Sequence, residues 1–178
     1  MSVPRERFGE GITWDDWLER LGEHGRVWQQ RFDQTALGTL RAEYQDVPTP
    51  RYVLCIFDPE SAAAHEVVPV VARACDQAGV AGGVDLRLFP IDEFPEIGTQ
   101  YVAEGMESSP VCVVFDDGWL QIGLWRLRAD AARDTDWTRA ALQGLLDALR
   151  GQPNRPWQGH RTHGQQHLKQ ADQAPGSA

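Results

Sequence analysis

Six consecutive apolar residues, Tyr52-Val53-Leu54-Cys55-Ile56-Phe57, leave this segment no polar face to turn toward water. Successive side chains of a strand point to opposite faces, so a run that is apolar throughout needs cover on both sides. That demand places it at the centre of a sheet with helices above and below. The turn Asp58-Pro59-Glu60-Ser61 follows, and then a helix over Ala62 to Ala78 whose apolar face carries Val67, Val68, Val71, Ala74 and Cys75. Pro69 lies inside this helix and Gly79 ends it. Val84-Asp85-Leu86-Arg87-Leu88-Phe89 reads as a second strand reached by the helical crossover, so the two strands are parallel.

The remaining punctuation predicts a helix over Glu96 to Glu104, closed by Gly105, then a strand over Val111 to Phe115. Asp116-Asp117-Gly118 turns the chain into an antiparallel strand over Leu120 to Trp125, and a last helix covers Asp136 to Leu149. Upstream, Thr13 is a good N-cap for a short amphipathic helix bearing Trp14, Trp17, Leu18 and Leu21. A second helical pattern runs from Val27 through Tyr44, with Gly38 as a weak point, until Val47-Pro48-Thr49-Pro50 stops it. The expected fold class is α/β, a three-layer α/β/α sandwich on a mixed central sheet of about four strands. Residues 1–50 form its N-terminal helical extension, 51–150 the domain itself, and 151–178 a polar tail. In that tail only Trp157 and Leu168 are large and apolar, too few to offset the entropy of ordering it.

A net charge of −9, with 26 acids against 17 Lys and Arg, argues against a nucleic-acid partner, because phosphate recognition needs clustered cations. Met1 to Arg7 contains no apolar signal core, and no window has the length of a membrane span; a cytoplasmic protein without a membrane partner is expected. Cys55, Cys75 and Cys112 are odd in number and lack metal-site spacing, which suits free thiols in a reducing compartment.

The order βαβ, helix, β-hairpin, helix resembles the thioredoxin-like superfamily. Two prolines strengthen the likeness: Pro69 lies eight residues past Ser61, as the helix-kinking proline lies past the first redox cysteine, and Ser109-Pro110 directly precedes the hairpin strand. The closer resemblance is to the bacterial thioredoxin family group that carries an N-terminal helical pair and a Trp-Cys-Gly-Asp-type motif. Ile91-Asp92-Glu93-Phe94-Pro95-Glu96, Ser108-Ser109-Pro110 and Gly123-Leu124-Trp125 follow one another as in that group, over residues 8–150. The resemblance implies a cis-proline at Pro110 and a redox centre at the start of the helix after the first strand. The cysteines of that centre are missing. Glu60 stands in the place of the tryptophan, Ser61 in that of the nucleophile and Ala64 in that of a resolving cysteine, so disulfide reductase activity of the usual kind is not expected.

Each candidate residue has a plainer reading beside the functional one. Ser61 with His65 at i+4 forms a nucleophile-and-base spacing, but no Gly-x-Ser-x-Gly elbow surrounds it, and a serine at a helix start is first an N-cap. Cys55 and Cys112 fall on what should be adjacent strands; they are a possible redox pair or, more simply, core filler like Cys75. His160, His163 and His167 align only on a helix that their Gln- and Gly-rich surroundings disfavour, so no metal is expected, and no cofactor either. Trp119, beside the hairpin turn, is expected at the surface. What the resemblance leaves is a shallow acidic groove of Asp58, Glu60, Ser61, Ser109 and Pro110 that pairs with an extended peptide, a protein segment or a small thiol without exchanging electrons. The alternatives are an atypical thiol oxidoreductase or sensor using Cys55 and Cys112, thiolate stabilisation by Ser61 as in glutathione transferases, and a structural or assembly role. Only 28 mostly polar residues follow the domain, which speaks against the all-helical partner domain of a transferase.

Overall fold

A computed structural model describes residues 3–102, 110–126 and 137–152. Its sheet consists of β1 (Arg51–Phe57), β2 (Val84–Pro90), β3 (Val111–Phe115) and β4 (Gln121–Arg126), in the order β2-β1-β3-β4. β2 runs parallel to β1, while β3 is antiparallel to both β1 and β4. The α-helices among the described residues are α1 (Arg5–Phe8), α2 (Trp14–Leu21), α3 (Gly25–Gln34), α4 (Arg41–Gln45), α5 (Ala62–Asp76), α6 (Pro95–Tyr101) and α7 (Trp137–Leu149). This is the α/β thioredoxin-like arrangement, with a mixed four-stranded sheet.

The apolar run that opens the fold behaves as its alternation requires. Val53, Cys55 and Phe57 point into a core shared with α2, α3, α4, α5 and α7, whereas Leu54 and Ile56 point into a second core shared with α1 and α6. Residues 53 to 57 are all buried, as a central strand covered on both faces must be.

The N-terminal segment belongs to both layers. Val3 and Phe8 lie in the core beside α6, and Trp17, Trp28, Leu40 and Tyr44 lie in the core beside α5. Between them the chain crosses the outer edge of β2, where Ile12 and Leu88 exchange two backbone hydrogen bonds of 2.9 and 2.8 Å. The crossing covers an edge strand whose polar groups would otherwise be open to another chain.

Several boundaries differ from the sequence pattern. The helix expected over 27–44 is broken into α3, a 3-10 turn at Gly38–Leu40, and α4, because Thr35 ends α3 and Gly38 adopts φ +55°, a left-handed conformation that costs glycine little. The four-residue α1 escapes notice because it is too short to show a period. α5 ends at Asp76 and α6 at Tyr101, each short of its expected end. The hairpin turn is longer than Asp116-Asp117-Gly118: Trp119 itself takes φ +61°, and opposite Val114 and Phe115 the β4 strand carries one extra residue, Ile122, as a bulge. Trp119 is half-buried rather than exposed. Its ring stacks on Phe115 at 4.5 Å and its Nε1 donates to the Val3 carbonyl at 2.7 Å. Residues 153–178 lie outside the described part of the chain.

Candidate functional site

A four-residue loop joins the C-terminal end of the central strand β1 to the first turn of α5. The connecting loop is tied to itself. The Asp58 carboxylate accepts from the Glu60 backbone N–H at 2.9 Å, and the Asp58 carbonyl accepts from the Ser61 N–H at 3.1 Å. Ser61 has the extended backbone of an N-cap, and its Oγ accepts from the Ala64 N–H at 3.0 Å. Its hydroxyl thus satisfies one of the donors left open at a helix start. Asp58 is half-buried and Glu60 exposed, while Ser61 and Ala64 are buried.

β3 brings Pro110 to the same end of the sheet. Ile56 faces Val111 across the β1–β3 pair, so continuing that register by one residue sets buried Pro110 against Phe57, next to Asp58. Ser109 and the Ser109–Pro110 peptide bond lie outside the described residues; the cis peptide bond among the described residues is Thr49–Pro50.

His65 stands one turn along α5, and its Nε2 lies 3.0 Å from the Pro59 carbonyl. A carbonyl only accepts, so Nε2 carries the proton and donates. In this tautomer His65 clamps the loop. Its ring rests on Trp28 at 5.1 Å, and Trp28 in turn contacts Trp17 and Phe57. Arg31 of α3 reaches Glu66 of α5 at 3.6 Å. The helical extension therefore forms the shelf under the first turn of α5. Neither the shelf nor the clamp has a local sequence signal, since each joins residues whose separation has no period. The one available hint is the dense tryptophan content of residues 14–28.

The three thiols lie below this surface. Cys55 and Cys112 are direct partners across the β1–β3 pair, both fully buried, and Cys75 on α5 joins the same core. A hydrogen bond with Cys55, followed by burial, holds the Cys112 thiol well above its ordinary pKa. Burial, followed by the neighbouring Cys55, raises that of Cys75. The thiolate is the reactive form, so sealing and neutrality together suppress nucleophilic chemistry. Among the described residues no group of His, Cys, Asp and Glu could hold a metal ion, and His160, His163 and His167 lie outside those residues. No described helix is long and apolar enough to cross a membrane.

No family model and no curated protein matches the sequence. Among solved structures, the protein of unknown function PA1234 from Pseudomonas aeruginosa aligns with a TM-score of 0.64 at 15% identity, over 85% of this chain and 99% of its own. An HIV epitope scaffold aligns with a TM-score of 0.63 at 14% identity, over 86% of this chain and 100% of its own. An N-terminal domain of the alkylhydroperoxide reductase AhpF from Enterococcus faecalis aligns over 55% of this chain and 46% of its own, with a TM-score of 0.39 and 16% identity. For the first two of these, at such identities, the likeness is one of fold.

Proposed function

We propose that this chain is a thioredoxin-fold binding protein. In this reading it holds an extended peptide, a protein segment or a small thiol at the end of the sheet marked by Asp58, Glu60, Ser61, Ser109 and Pro110, without electron transfer. The observation that carries the reading is the N-cap: the position that would bear a reactive sulfur holds a hydroxyl already bonded to the Ala64 N–H. Strand-like pairing beside a proline at the head of β3 needs backbone groups and not cysteines, so recognition can persist where exchange chemistry does not.

Insulin disulfide reduction with dithiothreitol as donor tests the non-catalytic part. The expected rate is that of dithiothreitol alone. Turnover above it that survives replacement of Cys55, Cys75 and Cys112 by Ser overturns the proposal. Loss of such turnover in Cys55→Ser moves the assignment to the buried Cys55–Cys112 pair, whose adjacency across β1 and β3 is the feature that favours it. Binding is followed by amide chemical shifts on titration with glutathione and with an extended peptide. Shifts centred on the amides of Phe57, Asp58, Glu60, Ser61 and Val111 are expected, and shifts confined to another face contradict the assignment.

A further inference from the structure

At the other end of α5, the helical extension and the sheet leave a cleft of about 300 Å³. Its walls are the rings of Trp14 and Phe32, which stack at 5.4 Å, and the aliphatic side chains of Val84 and Leu86 at the start of β2. All four side chains are only partly buried, and they converge on one depression. Asp15 and Asp76, both exposed, contribute carboxylates to its lining, and among the described residues no lysine or arginine lines it. The volume sits at the lower end of the ~300–1,000 Å³ range of small-molecule sites, room for one ring or a short chain.

We propose that this cleft binds a small organic cation, an amine or guanidinium carried on a single ring or short alkyl body. Helix ends bear on the charge balance. The start of α2 contributes roughly half a positive charge near Thr13, and the end of α5 contributes roughly half a negative charge near Asp76. The two nearly cancel and leave the carboxylates to set the sign. Asp76 takes Arg73 at 3.5 Å and the Gln77 side-chain amide at 3.0 Å, both on Oδ2, which leaves Oδ1 for a ligand, and the Arg73 guanidinium already lies over one face of Phe32 at 5.2 Å. An anion meets Asp15 and an Asp76 that Arg73 only partly offsets, and a neutral ligand gains nothing from either carboxylate. At 1.5 Å per residue along α5, the cleft residues Ala72 to Asp76 lie about 16–22 Å from Ser61, so the proposal stands apart from the groove there.

Isothermal titration of the full chain with phenethylamine, phenethyl alcohol and hydrocinnamate tests it. Phenethylamine is expected to bind saturably in the millimolar range, and the alcohol and the carboxylate at least about tenfold more weakly. Combined Asp15→Asn and Asp76→Asn substitutions should weaken the amine about tenfold, and Val84→Phe, which fills the cleft, should abolish binding in a protein whose circular dichroism is unchanged. If Val84→Phe fails to fold, the surface Asn variants still decide. Equal affinity for amine and alcohol, unchanged affinity in the Asn variant, or no saturable binding at millimolar concentration overturns the proposal.

Discussion

Replacing Trp28 by Ala removes the largest side chain on which the first turn of α5 rests. Trp28 is 3% exposed and touches Trp14, Trp17, Phe57 and His65. An aromatic side chain of this kind buries ~150–250 Å², worth about 4–6 kcal/mol at 25 cal/mol per Å². Measured aromatic-to-Ala costs of about 3–5 kcal/mol agree, and the lower figure applies where the surrounding rings close in on the cavity. For a domain of this size each kcal/mol shifts the midpoint by about 2–4 °C, so the predicted fall is about 6–20 °C. Urea and thermal unfolding followed by far-ultraviolet circular dichroism measure it, with Trp28→Phe as a control that should keep a large part of the contact. A loss below about 1 kcal/mol would refute the reasoning, as it would mean the extension does not unfold cooperatively with the sheet. A second, separate transition with a smaller denaturant slope would refute it equally.

Ser61→Ala leaves the Ala64 N–H without its cap and should cost about 0.5–2 kcal/mol in urea unfolding, while insulin reduction stays at background. An unchanged midpoint would speak against the cap. Gly123→Ala should cost about 1–3 kcal/mol, because a Cβ there lies 2.9 Å from the Ala148 carbonyl carbon and the backbone of α7 cannot step aside cheaply. Gly118→Ala, with its nearest neighbour at 3.5 Å, is the near-neutral comparison. Stability should also decline in alkali. Cys75, Cys112 and Tyr44 all have raised pKa values in the fold, through burial and, for Cys112, first through its bond with Cys55. The folded chain then holds more protons than the unfolded one, so the contribution is complete below the ordinary thiol pKa of about 8.5 and is lost as pH rises above it. Urea midpoints from about pH 7 to 10 should fall, and fall less steeply in Cys112→Ala; equal slopes would contradict the assignment.

The elements most legible in the sequence are those set by local chemistry. β1 follows from its apolar run, β3 matches its expected bounds, and the caps Thr13 and Ser61 follow from hydroxyls placed just before helical periods. The parts that escaped depend on contacts between distant residues. Ile12 and Leu88 make one isolated bridge, and a single bridge leaves no alternation to detect. Trp119 holds a left-handed backbone that sequence rules reserve for glycine, and it is kept there by Phe115, Phe8 and the Val3 carbonyl. At the candidate site the Ser61 cap was readable from four residues of sequence. The His65 clamp and the tryptophan shelf were not, because α3 and α5 meet only through tertiary packing.

Reaction of the three thiols with an aromatic disulfide reagent, in native and in denaturing buffer, tests the central claim most directly: a thioredoxin-like fold without a usable sulfur at its surface. Cys55 and Cys112 are fully buried, and Cys75 is 3% exposed on the wall of the acidic cleft, which disfavours an anionic reagent, so the native protein should show no rapid phase, and denaturant should release all three at the rate of free cysteine. A native-state thiol that reacts as fast as an exposed one, above all one lost in Cys55→Ser or Cys112→Ser, would contradict the account.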